Sequence, residues 1–169
     1  MILFHGSNMA VEAPDLSRCR PFKDFGRGFY LTENRTHAER MGARTARIYG
    51  SASWVSVYSL DEDTVSDLSF LRFDGPTPDW AEFVMNNRSR RLLNAGGPSD
   101  DQDVKYDLVV GPVADDDIAL LLMQFQRGWL DSEALTRLLV YRELSIQHSF
   151  HTERGLAALS FVEATRGQA

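Results

Sequence analysis

The apolar pattern of this chain does not follow the regular strand–helix alternation that a doubly wound parallel sheet requires. Residues 1–5 read as a short strand ending in the turn His5-Gly6-Ser7, and Phe29-Tyr30-Leu31-Thr32 reads as a second strand with no helix before it. A helix follows over about 36–49, with Thr36 as its N-cap. Trp54-Val55-Ser56-Val57-Tyr58 alternates as a strand does, and 68–73 is a shorter one. Residues 78–93 carry Trp80, Phe83 and Val84 on one helical stripe, with Pro78 in the first turn. Ala95-Gly96-Gly97-Pro98 breaks the chain, and the strongly apolar 106–110 is a strand stopped by Gly111-Pro112. Helices are expected over about 115–128 and 131–141, then a strand at 146–150 and a short helix capped by Thr152. Residues 159–162 are expected to close the core. Strands in pairs and helices in groups predict an α+β fold with a mixed or antiparallel sheet.

The 169 residues suit one domain over 1–169, without repeats, low-complexity tracts or a linker. Hydrophobic residues at 43% and charged residues at 25% are globular proportions. No apolar run is long enough to span a membrane, and the N-terminus lacks the basic and apolar regions of a signal peptide. With a lone cysteine, Cys19, these features predict a cytoplasmic protein. The net charge of −6 disfavours unselective binding to nucleic acid or anionic membranes. The charge is uneven, however. Between Arg18 and Arg47 there are eight Lys/Arg against three Asp/Glu, a local +5, so the remainder carries −11. That stretch reads either as a solvated helix face or as the approach for an anionic ligand such as a pyrophosphate.

Four motifs carry chemistry: His5-Gly6-Ser7; Gly26-Arg27-Gly28-Phe29-Tyr30-Leu31-Thr32; Trp80-x-x-Phe83-Val84-x-x-Asn87-Arg88; and Gln147-x-x-Phe150-His151-Thr152. The first two resemble the His–Tyr–Glu branch of the ADP-ribosyltransferase superfamily, which includes diphtheria-like toxins and poly(ADP-ribose) polymerases. With residues 106–112 and the Gln147 segment, the whole set resembles a bacterial uncharacterised family of that superfamily, often encoded in toxin–antitoxin pairs. The resemblance implies a split mixed β-sheet core with flanking helices. It implies NAD as co-substrate, no metal, and single transfer of ADP-ribose to a protein or nucleic acid. A small antitoxin protein is the implied partner.

The residue types suit such chemistry. His5 is expected to donate to an adenosine-ribose hydroxyl, and Gly6 to offer its bare backbone to the nicotinamide carboxamide. Ser7 and Gly28 belong to the same expected NAD-binding set. Tyr30 offers a flat face to the nicotinamide ring. Arg27, Arg18, Arg20 or Lys23 is expected to meet the pyrophosphate, the choice among them staying open. The resemblance places Gln147 where the branch usually has a glutamate. A glutamine holds a ribose hydroxyl but supplies no negative charge, so long polymers are not expected and a catalytically weak NAD-binding or protein-interaction module is the alternative. Glu143 takes the role only under a different strand register. All of this requires the rings of His5 and Tyr30 to converge on one cavity.

Other chemistries fit less well. His148 and His151 point to opposite faces of a regular strand, so they do not share a metal ion. Cys19 has no thiol-enzyme motif around it. Gly26-x-Gly28 lacks the third glycine and following helix of a Rossmann turn. Trp80 and Phe83 read as core, Asn87 and Arg88 as surface or capping groups, and 115–117 as an acidic helix start rather than a calcium loop. Apolar residues over 114–141, among them Leu120, Met123 and Trp129, are expected to be buried, with a partner surface as the alternative.

Overall fold

The computed structural model describes residues 1–93, 105–114, 116–140 and 145–167. The expected break at 95–98, residue Asp115 and Glu143 lie outside the described residues. Seven strands form one mixed sheet: β1 (Ile2–Ser7), β2 (Phe29–Thr32), β3 (Trp54–Leu60), β4 (Phe70–Arg72), β5 (Leu108–Pro112), β6 (Ile146–Phe150) and β7 (Leu159–Arg166). Their order is β4-β5-β6-β2-β1-β3-β7. Only the β4–β5 pair is parallel; every other neighbouring pair is antiparallel. The helices are α1 (Arg35–Tyr49), α2 (Glu62–Val65), α3 (Pro78–Leu93), α4 (Asp116–Gln126), α5 (Ser132–Val140) and α6 (Glu153–Leu156). The fold is therefore α+β with a mixed sheet.

Residues paired across a ladder share a face of the sheet. Phe4 pairs with Thr32, Thr32 with Gln147, Leu31 with His148, and Leu108 with Phe150. One face accordingly carries Leu3, Phe29, Leu31, Leu108, Val110 and Phe150, and these form a first core with Tyr58, Leu60 and Leu156. The loop between β1 and β2 covers it with Val11, Leu16 and Cys19. Tyr58 anchors that loop by donating to the Val11 carbonyl at 2.5 Å. The other face carries Val109, on which a second core assembles from Phe25, Trp80, Val84, Ile118, Leu122, Leu135 and Leu139. Trp80 and Val84 of α3 are fully buried, as their stripe predicts. The Trp80 indole N–H donates to the Pro112 carbonyl at 3.2 Å, which satisfies its one polar atom inside the core.

Helix α1 closes the second face over β1. Its buried side is Ala38, Gly42 and Ala46, small residues that let helix and strand backbones approach. Its N-cap is Asn34, whose side chain accepts from the His37 N–H at 3.1 Å, so the helix starts before Thr36. Gly50 ends it in the left-handed conformation, at φ 63. Thr152 caps α6 as expected, accepting from Gly155 N–H.

Four further expectations change. His5-Gly6-Ser7 is strand rather than turn, since Gly6 and Ser7 pair with Val55 and Trp54. Strand β5 starts two residues later than read and includes Gly111 and Pro112, with proline tolerated at the strand's last residue. Strand β7 does not close the core. It is a sheet edge, with Phe161 and Val162 exposed; Leu159 packs on the first core and the Phe161 ring meets the Tyr58 ring edge-on at 5.9 Å. Leu120, Met123 and Trp129 are also exposed, against the expectation of burial.

Candidate functional site at the split between β1 and β2

The sheet is weakest in its middle. Strands β1 and β2 share one registered pair, Phe4 with Thr32, whereas β1 pairs with β3 over six residues. Beyond Phe4 the two strands part toward Ser7 and Phe29, the end where the long connecting loop and the second half of α1 lie. The gap is bridged by a side chain: His5 Nδ1 lies 2.8 Å from the Tyr30 carbonyl oxygen. A carbonyl only accepts, so Nδ1 carries the proton. Burial, opposed by that hydrogen bond and assisted by the nearby Lys23 charge, lowers the imidazole pKa and favours the neutral ring. Nε2 is then an acceptor. The donation expected of His5 is therefore taken up by the Tyr30 carbonyl.

The predicted site residues divide between the two faces. The His5 ring packs on Phe29, centroids 4.5 Å apart. Tyr30 is the next residue along β2, so its ring points the other way. Its hydroxyl donates to the Gly26 carbonyl at 2.7 Å and accepts from Phe25 N–H at 3.1 Å, and its ring faces Phe25. The rings of His5 and Tyr30 therefore do not converge on one cavity. Gly6, Tyr30 and Gln147 share the α1 face, and His5 stands on the other.

The glycines are explained by packing. A Cβ on Gly6 would collide with the Ala38 carbonyl of α1, so the bare backbone admits the helix rather than a ligand. A Cβ on Gly28 would stand 2.5 Å from Ser149 Oγ and 2.9 Å from the Phe150 carbonyl. Gly26, at φ 86, is the position where the turn itself needs glycine. Ser7 ends β1, its hydroxyl 3.5 Å from Asn8 Oδ1. The Arg27 carbonyl holds His151 Nδ1 at 2.7 Å, while Arg27 Nε is buried with no hydrogen-bond partner among the described residues. His148 turns to the opposite side of β6, its Nε2 2.9 Å from Glu33 Oε1.

Gln147 is buried within a polar network. Its amide N–H groups donate to Asp24 Oδ2 at 3.1 Å and to the Pro112 carbonyl at 3.4 Å. That orientation leaves Oε1 as an acceptor with no hydrogen bond among the described residues. Asp24 is the hub. Its Oδ1 takes Arg88 Nε at 2.9 Å and Nη2 at 2.6 Å, and its Oδ2 takes Ala114 N–H at 2.9 Å as well as Gln147. Asn87 donates to the Asp24 carbonyl at 3.1 Å.

Four cations lie near one another around Lys23. Burial lowers the Lys23 pKa, Asp24 opposes this, and the charges of Arg20, Arg44 and Arg88 lower it further. Of these four cations only Arg88 has an anionic partner among the described residues. Cys19, also in the loop, is held as a thiol by burial, with Asp15 assisting and Arg27 opposing.

Residues 1–161 match the family described as Protein of unknown function (DUF3990). The chain belongs to this family. It matches no curated protein. In this DUF3990 protein the candidate that sequence reading missed is the hub Asp24, and Asn87 and Arg88, read as surface or capping groups, bind it instead. Asn87 was legible: it lies seven residues after Trp80, on the buried stripe, so it points inward rather than to the surface. Asp24 gave no local signal, because its partners lie 64, 90 and 123 residues away. Among the described residues no helix is long and apolar enough to cross a membrane.

Proposed function

We propose that this DUF3990 protein is an NAD-dependent mono-ADP-ribosyltransferase that binds the dinucleotide at the split between β1 and β2, on a geometry other than the shared His5–Tyr30 cavity that the motif resemblance requires. The observation that carries the reading is the split itself. It is bridged by His5, whose Nδ1 is held by the Tyr30 carbonyl, and Lys23 lies near that imidazole with Arg20 and Arg44 near it in turn, while Gln147 stands on the opposite face, level with the joined pair Phe4–Thr32. His5 Nε2 suits one ribose hydroxyl and the cations suit a diphosphate, which supports a dinucleotide ligand. The motif resemblance of the His5 and Tyr30 segments to the His–Tyr–Glu transferases supports it further.

Bound NAD supplies a ribosyl carbon whose bond to nicotinamide breaks with both electrons on the leaving ring, while an acceptor lone pair bonds that carbon and the acceptor proton passes to solvent. Within the protein, His5 receives one hydroxyl proton as a hydrogen bond and holds β2 through Tyr30. Gln147 orients a second hydroxyl. Its Oε1 contributes a dipole where the related enzymes place a charge, so transition-state stabilisation is weaker. Lys23 and Arg20 neutralise phosphate, and Arg27 adds its buried Nε. Tyr30 stands on the face with Gly6 and Gln147, where its ring edges the nicotinamide half. No metal is required. The acceptor is a protein or nucleic acid, and a small neutralising protein is the partner expected by resemblance.

The test is nicotinamide release from NAD by the purified chain. Release is expected, with about a tenfold or greater loss in His5→Ala and Gln147→Ala variants whose unfolding midpoints are checked in parallel. No release from the wild-type chain removes the enzymatic reading. Two observations favour a second reading, an NAD-binding or protein-interaction module without turnover: residue 147 carries no charge, and the His5 and Tyr30 rings occupy opposite faces. Calorimetric NAD binding with no nicotinamide produced would select it.

A further inference from the structure

We propose that Asp24 is the positioning residue for position 147: its carboxylate admits only a side chain that donates there, so the network's negative charge sits on Asp24 and residue 147 presents a neutral oxygen. Both groups that Nε2 of Gln147 meets are acceptors, Asp24 Oδ2 at 3.1 Å and the Pro112 carbonyl at 3.4 Å. The Pro112 carbonyl also accepts from the Trp80 indole, which fixes it against the second core. Turning the amide over would set Oε1 against two acceptors in a buried place, losing both hydrogen bonds without water to replace them. The orientation of Gln147 is therefore imposed by the chemistry of its neighbours.

Asp24 is itself held on every side. A carboxylate offers about four acceptor sites, and Arg88 Nε and Nη2, the Ala114 N–H and Gln147 fill them. Arg88 Nη2 also donates to the Ala114 carbonyl at 2.7 Å, and Asn87 holds the Asp24 backbone. Asp24, Asn87 and Gln147 are all buried. One carboxylate thus faces one guanidinium, and among the described residues no second cation makes an ion pair with Asp24. The other titratable groups nearby are engaged elsewhere or point away. Lys23 precedes Asp24 in the turn, the Tyr30 hydroxyl is bonded to Gly26, His151 Nδ1 is held by Arg27, and His148 lies on the opposite face with Glu33. A glutamate at 147 would bring a second carboxylate oxygen beside Asp24 Oδ2. Two like charges in one buried site do not both ionise, so the introduced acid would keep its proton well above the ordinary range. That the neutral oxygen of residue 147 meets ribose rests on the transferase reading; the placement of the charge does not.

The experiment makes Gln147→Glu, Asp24→Asn and the two together in the full chain, and follows urea unfolding from about pH 4.5 to about pH 7.5, upward from the ordinary glutamate value of about 4.3. A carboxyl whose folded pKa is raised costs nothing below its unfolded value and destabilises as the pH climbs toward the folded one. Relative to the wild type, Gln147→Glu is expected to be close to normal at the acid end. By the neutral end its folding equilibrium should fall about tenfold or more, one pKa unit being about tenfold. Relative to Asp24→Asn, the double substitution should show no such fall, because the asparagine amide donates to the new carboxylate and Arg88 stays beside it. The Ala114 N–H loses its acceptor in both of those chains, so that loss cancels. Asp24→Ser serves in the same comparison where Asp24→Asn does not fold. No fall in Gln147→Glu, or an equal fall with position 24 neutral, overturns the proposal. On the transferase reading, the double substitution should also release nicotinamide about tenfold faster than Asp24→Asn alone, since it moves a charge to position 147. The two readings fail separately: the pH-dependent fall and its rescue without nicotinamide release from any chain remove the transferase and keep Asp24 in its role, and release without the fall does the reverse.

Discussion

At Gly6 the side chain that is absent matters more than any ligand contact it was expected to make. The Ala38 carbonyl occupies the space a methyl group would need, and it belongs to helix backbone that cannot rotate away. Gly6→Ala is therefore expected to lower stability by about 1–3 kcal/mol, read as a shift in the urea midpoint. An unchanged midpoint would show that α1 can move off β1 freely. The histidines give a second prediction. His148 is buried, and burial lowers its pKa despite the raising effect of Glu33; His5 is lowered as well. A histidine whose folded pKa lies below 6.5 binds its proton more readily in the unfolded chain. Stability is thus full above about pH 6.5 and declines as the pH falls from there, by up to about 1.4 kcal/mol per pH unit for each such group. Urea titrations over that range should show a shallower decline in His148→Leu, in which Glu33 is released to water. An identical pH profile in the variant would assign the acid sensitivity to other groups.

Among the elements, α3 has two jobs. Its Trp80–Val84 stripe supplies the second core, and one turn further Asn87 and Arg88 tie down the turn that carries Asp24. Asp24 joins α3, the segment after β5 and strand β6 through one carboxylate. Replacing it by Ala strands a guanidinium that is one-third exposed, a backbone N–H and the Gln147 amide. The cost is expected at about 2–3 kcal/mol, less than for a fully buried pair because Arg88 reaches water. A double-mutant cycle of Asp24→Ala with Gln147→Ala should show a coupling of at least about 0.5 kcal/mol. Additive effects would mean that Gln147 keeps its orientation without Asp24. The opposite edge of the sheet has a different device: the β3–β7 register shifts between Val57 and Tyr58, and that irregularity blunts an otherwise open edge strand.

On the scale of the whole molecule, the sheet is two halves joined at one registered pair; the first core spans both halves on one face, and on the other face the second core covers the larger half and α1 the smaller one. A guest at that joint must order both halves. Saturating NAD is expected to slow amide hydrogen exchange in residues 5–7 and 25–32 while α4 and α5 exchange as before. Protection confined to α4 and α5 would move the binding site to the far side of the second core. The element inventory behind this architecture was legible locally. Phe29–Thr32, Pro78–Leu93 and Ile146–Phe150 fall where alternation, helical stripe and flanking turns put them. The four-residue helix after Asp61 was not, because its cap is a single side chain and it has no apolar stripe to announce it.

The amino-acid order by itself determined the kinds of element, their succession and hence the α+β class, because periodicity and turn residues act over a few neighbours. Its motif resemblance, and nothing in their spacing, grouped His5, Tyr30 and Gln147. Only the tertiary structure decided that the first of these faces away from the other two. A twenty-five-residue separation carries no information about strand register, and shifting register by one residue exchanges the faces. The same holds for Asp24, whose meaning comes entirely from groups that are distant in sequence and are brought to it when the two cores close.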